Sequence, residues 1–267
     1  MRCLPKELKN EIRSKLDYLT SQEKYPSTDD CRKIALKRIE KDAQIQSYEI
    51  ENPYSKLPFS VSRNNNKKMI RGGIKNIEQA FIWGINNFDP ENFEESFIRE
   101  LAGKICPNIH HNSIAQYRKD NVRIIGASKI PPDNYKIVTR EIPWFVENIN
   151  SQLKNKEIIN QIETAIFAHL HLVRIHPFDD GNGRTARVLQ DIILTDSNIP
   201  SPLIPSGERH IYYTCLDEAV KSWSINNARS LEDTSSDGER FFYEFIAGKI
   251  NASLDLLVKK CSCKGNF

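Results

Sequence analysis

The chain has 267 residues, of which 39% are hydrophobic and 27% are charged, so it can bury a core in one large domain or two small ones. Its net charge of +3 comes from residues of mixed sign, which excludes a strongly basic nucleic-acid surface and a membrane-binding helix. A mean hydropathy of −0.54 and the lack of a long apolar run exclude a transmembrane helix.

The N-terminal part predicts two helices, Pro5–Leu19 and Asp29–Ile45, which a turn at Gln22–Ser27 joins. Thr28 or Asp29 can cap the second helix. Further apolar stripes repeat at helical spacing, and a polar run before them is predicted as a loop. The loop is Asn64–Lys68, and the helices after it are Ile74–Asn87, Phe93–Ile105 and Glu141–Leu153.

Two β-prone runs precede the last of these helices. Val122–Ile125 and Tyr135–Val138 flank Gly126 and the pair Pro131–Pro132, and runs of this kind predict a β-hairpin. The chain is therefore predicted to be mainly α, with one small hairpin that is either a functional flap or an ordinary surface feature.

The twelve residues from His176 to Arg187 read His-Pro-Phe-Asp-Asp-Gly-Asn-Gly-Arg-Thr-Ala-Arg. Before them a helix is predicted at Ile158–Arg174, and Pro177 interrupts it because proline lacks an N–H and disfavours helical geometry in the preceding residue. Apolar periodicity resumes at Arg184. The unit is thus helix, tight loop, helix, and the glycines before the second helix predict a phosphate site at its positive end.

Four side chains in this stretch suit a reaction on a polyphosphate. Arg184 and Arg187 share one helical face, and guanidinium groups bind phosphate oxygens in a fork. Asp180 is a hard oxygen ligand for Mg²⁺. His176, with an ordinary pKa of about 6.5, can take a proton from a hydroxyl at neutral pH. The alternative is structural: a histidine before proline is often only a loop residue, and glycines between helices often only end a helix.

The same stretch resembles the Fic family signature, His-x-Phe-x-(Asp/Glu)-Gly-Asn-Gly-Arg-x-x-Arg, at every fixed position. The flanking sequences Ala168–Ile175 and Arg209–Leu216 are also similar to that family, and the resemblance runs from about Ser47 to about Ile250. It implies the Fic fold, a helical bundle with the hairpin as a flap over the active site. The related Doc kinases depart from the Gly-Asn-Gly-Arg core, so the chain resembles the nucleotidyl-transferring branch.

This resemblance implies AMPylation, the transfer of AMP from ATP to a Tyr, Thr or Ser hydroxyl of a target protein with release of pyrophosphate. His176 would deprotonate the hydroxyl, Phe178 would anchor the loop, and Asp180 would hold Mg²⁺ on the α- and β-phosphates. Six residues would hold the nucleotide: Gly181, Asn182 and Gly183 as an anion hole, Arg184 on the phosphates, Arg187 on the γ-phosphate and Tyr213 against the adenine.

Neighbouring residues are assigned differently. Many relatives carry an Asn seven residues after the tyrosine that matches Tyr213, where this chain has Val220, so the base specificity stays open. Asp179 occupies a variable position of the signature and is predicted to be solvated. Of His169 and His171, one is predicted to be a structural histidine instead of a second base.

A second motif, Ser47-Tyr-Glu-Ile-Glu51-Asn52, resembles the family's inhibitory pattern (Ser/Thr)-x-x-x-Glu-(Gly/Asn). Because it precedes the core, the chain resembles the group with an N-terminal inhibitory helix, here at about 45–52. Ser47 and Glu51 are four residues apart and share a helical face, so Glu51 can pair with Arg187 and deny it to the γ-phosphate. The alternative is a glutamate on a solvated face.

The resemblance divides the chain into an N-terminal helical extension at 1–46, a Fic domain at 47–250 with its core at about 115–250, and a C-terminal tail at 251–267. A target protein is expected to dock on the flap around Val122–Val138, with strand addition as the mode of capture. No nucleic-acid or membrane partner is expected, and a homo-oligomer is allowed.

The spacing of the cysteines and the first residues of the chain indicate the cellular compartment of the protein. The six cysteines are scattered, and Cys261-Ser-Cys263 is too tight for zinc spacing without a partner pair. The first residues, with Glu7 and Lys9, contain no apolar signal core. We therefore expect reduced thiols and a cytoplasmic protein.

Three functions are compatible with these patterns. The first is a self-inhibited protein adenylyltransferase. The second keeps the fold with different chemistry: removal of AMP from a target, with Glu51 positioning a water, or transfer of another nucleotide. The third is an inactive binding module, against which the intact His176, Asp180 and Arg187 argue.

Overall fold

A computed structural model describes residues 4–22, 26–52, 63–110, 114–223 and 237–262. Within these ranges the regular structure is helical and contains no β-strand. No helix in the described part of the chain is long and apolar enough to cross a membrane. The helices are α1 Lys6–Gln22, α2 Pro26–Glu51, α3 Arg63–Asn87, α4 Glu95–Ile105, α5 Asn134–Lys136, α6 Ile142–Leu153, α7 Ile158–Ile175, α8 Asn182–Asp196, α9 Arg209–Ser222 and α10 Asp237–Ser262.

Most helices lie where apolar periodicity predicts them, to within a few residues. Two are longer than predicted. α2 continues past Ile45 to Glu51, so the second motif lies on its last turns. α3 begins at Arg63, and the prediction of a loop at Asn64–Lys68 is wrong because that run lacks the apolar residues from which a helical period is read.

α7 lies at the centre of the molecule. Every residue from Gln161 to Leu172 is buried, and α6, α8, α9 and α10 all pack against this helix. α2, α3 and α4 pack against α8 in turn. The core therefore fixes the C-terminus of α7 and the N-terminus of α8, between which the central motif lies.

The predicted hairpin flap is wrong. Residues 121–133, which we term the rim segment, are irregular, and Tyr135–Val138 belongs to α5 and a π-helical turn. Proline cannot donate a strand hydrogen bond, so the Pro131–Pro132 pair opposes a regular hairpin. The rim segment is held instead by a side chain of α9, because the Asp217 carboxylate accepts from the Ser128 N–H at 2.7 Å and from its hydroxyl at 2.5 Å.

Candidate active site

The loop between α7 and α8 contains two residues in the left-handed conformation. His176 ends α7 with φ 50° and ψ 58°, and Gly181 precedes α8 with φ 79°. Glycine adopts this region freely, whereas histidine does so uncommonly. The tight break predicted from Pro177 and the glycines is present, and contacts outside α7 hold the histidine in it.

One side chain closes this loop. Asn182 accepts a hydrogen bond from the Phe178 N–H at 2.9 Å and donates one to the Phe178 carbonyl at 2.8 Å. Phe178 is completely buried, and its ring stacks on that of Tyr117 with centroids 5.6 Å apart. The position of Phe178 agrees with the predicted anchor. The use of the Asn182 amide was missed, since a sequence motif does not indicate which way an amide turns.

His176 is half-buried in the cleft wall. Its carbonyl oxygen accepts a hydrogen bond from Arg118 Nε at 2.7 Å. Burial lowers the pKa of His176, a backbone contact with Val173 opposes this, and the net pKa is below its ordinary value. A lowered pKa keeps the imidazole neutral at pH 7, which is the form that accepts a proton.

Asp180 is exposed at the same loop. Its Oδ2 pairs with Arg184 Nη2 at 3.0 Å, and its Oδ1 accepts from the Gly181 N–H at 2.7 Å. The Cys106 thiol lies 3.9 Å from Oδ2. Among the described residues no three His, Cys, Asp or Glu side chains converge as a metal cluster. One exposed carboxylate still fits Mg²⁺, which commonly takes one or two protein carboxylates and fills its shell with water and phosphate oxygens.

Arg187 is only 4% exposed, and its donors end on α2 and α9. Nε donates to the Ser47 hydroxyl at 2.8 Å, and Nη2 donates to the Ser47 carbonyl at 3.0 Å. Nη2 also donates to Glu51 Oε1 at 2.7 Å, and Nη1 to the Tyr212 hydroxyl at 3.2 Å. The pairing of Glu51 with Arg187 that the second motif predicts is therefore present.

The Glu51 carboxylate bridges two guanidinium groups. Its Oε2 lies 2.8 Å from Arg184 Nε, while Oε1 contacts Arg187. A methyl group built on Gly183 would lie 2.5 Å from Oε1, so the carboxylate rests on the backbone of the first turn of α8. That turn attracts anions through its free N–H groups and its dipole. The carboxylate thus occupies the anion-attracting end of α8, and the glycine makes room for it.

A buried polar chain supports Arg187 from behind. The Tyr212 hydroxyl lies 2.8 Å from His169 Nε2, and His169 Nδ1 lies 2.8 Å from Gln190 Oε1. With the Gln190 oxygen as acceptor, Nδ1 carries the proton and Nε2 accepts from Tyr212. Burial and the charge of Arg187 lower the pKa of His169 to about 3, so it stays neutral. The expectation of a structural histidine is confirmed for His169.

These residues line a cleft of about 480 Å³ between α2, α9, the rim segment and the central loop. Tyr213 and Val220 both line it, and Asp179 is an exposed part of its wall. Arg209 lies over the Tyr213 ring, 5.0 Å from its centroid, and its Nε donates to the Ile50 carbonyl at 2.6 Å. Arg209 thereby links the end of α2 to the tyrosine, a role that no motif in the sequence indicates.

The family model of the Fic/DOC family matches residues 92–194. The match runs from just before α4 to the last turn of α8 and contains the whole of the motif from His176 to Arg187. The chain contains a Fic domain. Ser47 and Glu51 lie before the matched range.

Relatives of this Fic domain carry the name protein adenylyltransferase Fic. The relative from Nematostella vectensis is 34% identical over 125 residues, which cover 46% of this chain and 27% of the relative. The relative from Aedes aegypti is 26% identical over 244 residues, which cover 84% of this chain and 43% of the relative. The chain therefore spans less than half the length of either protein.

A solved structure extends the likeness to nearly the whole chain. A Fic-domain-containing signaling protein from Bacteroides thetaiotaomicron has a TM-score of 0.71 to this chain at 19% identity, over 96% of this chain and 98% of that one. At this identity the likeness establishes a common fold. The predicted Fic fold, mainly α, is thus confirmed without its hairpin.

Proposed function

We propose that the chain is a self-inhibited protein adenylyltransferase, which transfers AMP from ATP to a hydroxyl of a target protein. The observation that carries the proposal is the meeting of the Glu51 carboxylate with both Arg184 and Arg187 on the first turn of α8. A site that holds one anion oxygen on each guanidinium suits a polyphosphate equally well. The names of the relatives from Nematostella vectensis and Aedes aegypti give the same reaction.

In the proposed reaction His176 takes the proton of a Tyr, Thr or Ser hydroxyl, and that oxygen attacks the α-phosphorus of ATP. The bond from the α-phosphorus to the bridging oxygen breaks, and pyrophosphate leaves in line. The neutral imidazole suits this step, since a base must begin without its proton. The backbone N–H groups of Gly181 to Gly183 and the two guanidiniums stabilise the charge on the phosphates.

Asp180 is the residue that would hold Mg²⁺. When bound, the ion would neutralise charge on the α- and β-phosphates. Asp180 is exposed and lies within 3.0 Å of Arg184, so a carboxylate and a guanidinium are both available to one phosphate chain.

Inhibition in this proposal is competition for Arg187. While Glu51 and Ser47 occupy its donors, the γ-phosphate lacks its partner, and ATP takes a pose in which the α-phosphorus is misaligned for attack. A misplacement of about 1 Å costs about 100-fold in rate. Tyr213 supplies a face for the adenine, and Val220 leaves that end of the cleft without the amide of many relatives.

The partner in the proposal is a target protein at the open side of the cleft. Rim-segment residues such as Ile125 and Ile130 are exposed there, and so are Tyr135 and Val138. Since this segment is irregular, docking would use its side chains and free backbone groups. The described cysteines Cys31, Cys106, Cys215 and Cys261 form no disulfide with one another, which agrees with the cytoplasmic site that we propose for the reaction.

The test compares the parent protein with Glu51→Gly after incubation with ATP and Mg²⁺, by mass spectrometry of the protein itself. We expect Glu51→Gly to gain a mass equal to AMP about 5- to 150-fold faster, which corresponds to a coupling of about 1–3 kcal/mol. Glu49→Gly is the matched control. It introduces the same helix-weakening residue two positions earlier, on another face of α2, and is expected to stay slow.

The other outcomes separate the alternatives. Equal rates for the parent and Glu51→Gly would remove the inhibitory role of Glu51. A gain of phosphate or UMP would change the reaction, and no gain in any form would leave AMP transfer unsupported. Release of AMP from an AMPylated substrate by the parent, lost in Glu51→Gly, would favour the reverse reaction.

A further inference from the structure

Arg118 is a buried guanidinium outside the signature motif. It lies between α4 and α5, and only 3% of the residue is exposed. Arginine is almost never fully buried unless its charge and donors are satisfied, since an unpaired buried charge costs several kcal/mol. The partners of Arg118 therefore indicate what its burial accomplishes.

Its hydrogen bonds end on main-chain carbonyl oxygens. The backbone N–H donates to Pro177 at 2.9 Å, and Nε donates to His176 at 2.7 Å. Nη1 donates to Asp120 at 2.8 Å, and Nη2 donates to Pro132. One residue thus holds two consecutive carbonyls of the central loop and one carbonyl next to each end of the rim segment.

These hydrogen bonds fix the central loop relative to the rim segment. A target hydroxyl would have to enter between the two. The His176 backbone is left-handed, a conformation that persists for a non-glycine residue only when its surroundings hold it. Arg118 binds the carbonyl of that same residue. The planar fork of arginine sets distances and angles that a single ammonium cannot.

We propose that Arg118 is a positioning residue, which sets the His176 imidazole relative to the rim segment so that it meets the hydroxyl of the target. The assignment rests on the proposed function, because it concerns the proton transfer of that reaction. Arg118 does not touch the nucleotide in this account, and its effect passes through His176.

The charge of Arg118 gives a second way to test the proposal, through the pKa of His176. The charged groups that act on His176 are Arg118 beside its carbonyl, Glu51 from α2 and Asp180 from the loop. Arg118 lowers the pKa of His176, whereas Glu51 and Asp180 raise it. Removing the Arg118 charge therefore moves the pKa of His176 upward, while a lysine in its place keeps the charge and loses the fork.

The experiment uses the Glu51→Gly protein and adds Arg118→Lys, Arg118→Gln or the control Arg71→Gln, which removes an exposed charge from α3. We expect both Arg118 variants to lower kcat by about 100-fold, with the Kd of ATP by calorimetry unchanged. The acid limb of kcat against pH should move to higher pH in Arg118→Gln and stay in place in Arg118→Lys. Arg71→Gln should match the Glu51→Gly protein.

A kcat in both Arg118 variants equal to that of the Glu51→Gly protein would overturn the proposal. So would loss of the cooperative unfolding transition in both, because Arg118 would then hold the fold and not the histidine. If Glu51→Gly itself transfers no nucleotide, the proposed function fails on its own. NMR titration of His176 then decides the inference, and an unchanged midpoint in Arg118→Gln would refute it.

Discussion

At the scale of single residues, His176 combines an uncommon backbone conformation with a side chain kept neutral by burial. Its carbonyl is held by Arg118, while its ring opens to the cleft that Arg187 and Tyr213 also line. The proposed base is therefore placed by contacts that do not involve the nucleotide. A change of this residue should therefore affect proton transfer and leave the binding of ATP intact.

Replacement of His176 by alanine in the Glu51→Gly protein should abolish AMP transfer and leave ATP binding nearly unchanged. The reason is that alanine removes the proton acceptor but none of the phosphate-holding groups. The measurement is transfer by mass spectrometry together with the Kd of ATP by calorimetry. His210→Ala, at an exposed histidine of α9, is the control and should behave as the Glu51→Gly protein. Undiminished transfer by His176→Ala would assign the base to another group.

The residues of the signature could be predicted from sequence because local chain geometry alone brings them together. A break at Pro177 and a helix from Asn182 are enough to gather Asp180 and both arginines at one loop. The contacts of Arg118, and the use of the Ser47 carbonyl by Arg187, depend on packing between distant segments. No spacing in the chain encodes such contacts, so only the structure reveals them.

At the scale of elements, the last turn of α2 is the part that reaches the site. The final carbonyls of a helix lack partners within it and need them from elsewhere. The Tyr48 carbonyl accepts from the N–H and the side-chain amide of Asn52, both at 3.1 Å. The Ile50 carbonyl accepts from Arg209. The turn that presents Glu51 is thus capped from within and from α9.

Arg209→Ala should raise the AMP transfer rate of the otherwise unchanged protein, because it frees the end of α2 from α9. A lost hydrogen bond from a charged group is worth about 1.5–3 kcal/mol, which corresponds to a rise of about 10- to 150-fold. The measurement is the transfer rate in a double-mutant cycle with Glu51→Gly. In that background Arg209→Ala should give no further rise. Additive effects would mean that Arg209 acts on the nucleotide and not on α2.

The sequence predicts helix positions better than the rim of the site. α7 and α8 carry long apolar patterns whose meaning does not depend on neighbours. Val122–Ile125 and Tyr135–Val138 have β-branched residues, but strand formation needs a partner with free donors, and Pro131–Pro132 denies it. α2 extends past Ile45 because Ser47 and Tyr48 contact other helices. A local sequence pattern does not contain these contacts.

At the scale of the whole molecule, the ion pairs of Glu51 join α2 to α8 at the cleft of about 480 Å³. Arg187 is buried, so the carboxylate neutralises a charge that water cannot reach. Removing one partner of such a pair destabilises the fold because the other stays buried and unpaired. Stability and the proposed inhibition are therefore linked through the same carboxylate.

Glu51→Gln should lower the free energy of unfolding by about 2 kcal/mol, and the Tm by about 4–8 °C for a domain of this size. Saturating ATP should restore the free energy of unfolding of this variant, since phosphate replaces the lost carboxylate. The gain is about 2.7 kcal/mol at 100-fold excess of ATP over its Kd. At the same ATP concentration the parent should gain less, because Glu51 there keeps the donors of Arg187 from the γ-phosphate. Thermal unfolding with and without ATP measures both effects.

The control for that measurement is Glu91→Gln, which breaks the exposed pair with Lys156. Exposed pairs contribute about 0–1 kcal/mol, so its Tm should change little. A Tm for Glu51→Gln equal to that of the parent, with or without ATP, would contradict the link between the carboxylate and the stability of the fold.

The hydrogen bonds of Asn182 have a consequence for the chemical ageing of the protein. Asn182-Gly183 is the dipeptide most prone to spontaneous deamidation, which begins when the glycine nitrogen attacks the asparagine side chain. In the native chain both ends of that amide are engaged by Phe178, and the glycine nitrogen is fixed in a helical turn. Folding thus shields this amide, and an unfolded molecule would acquire an aspartate or isoaspartate there, whose negative charge would oppose the phosphate binding that we propose for this turn.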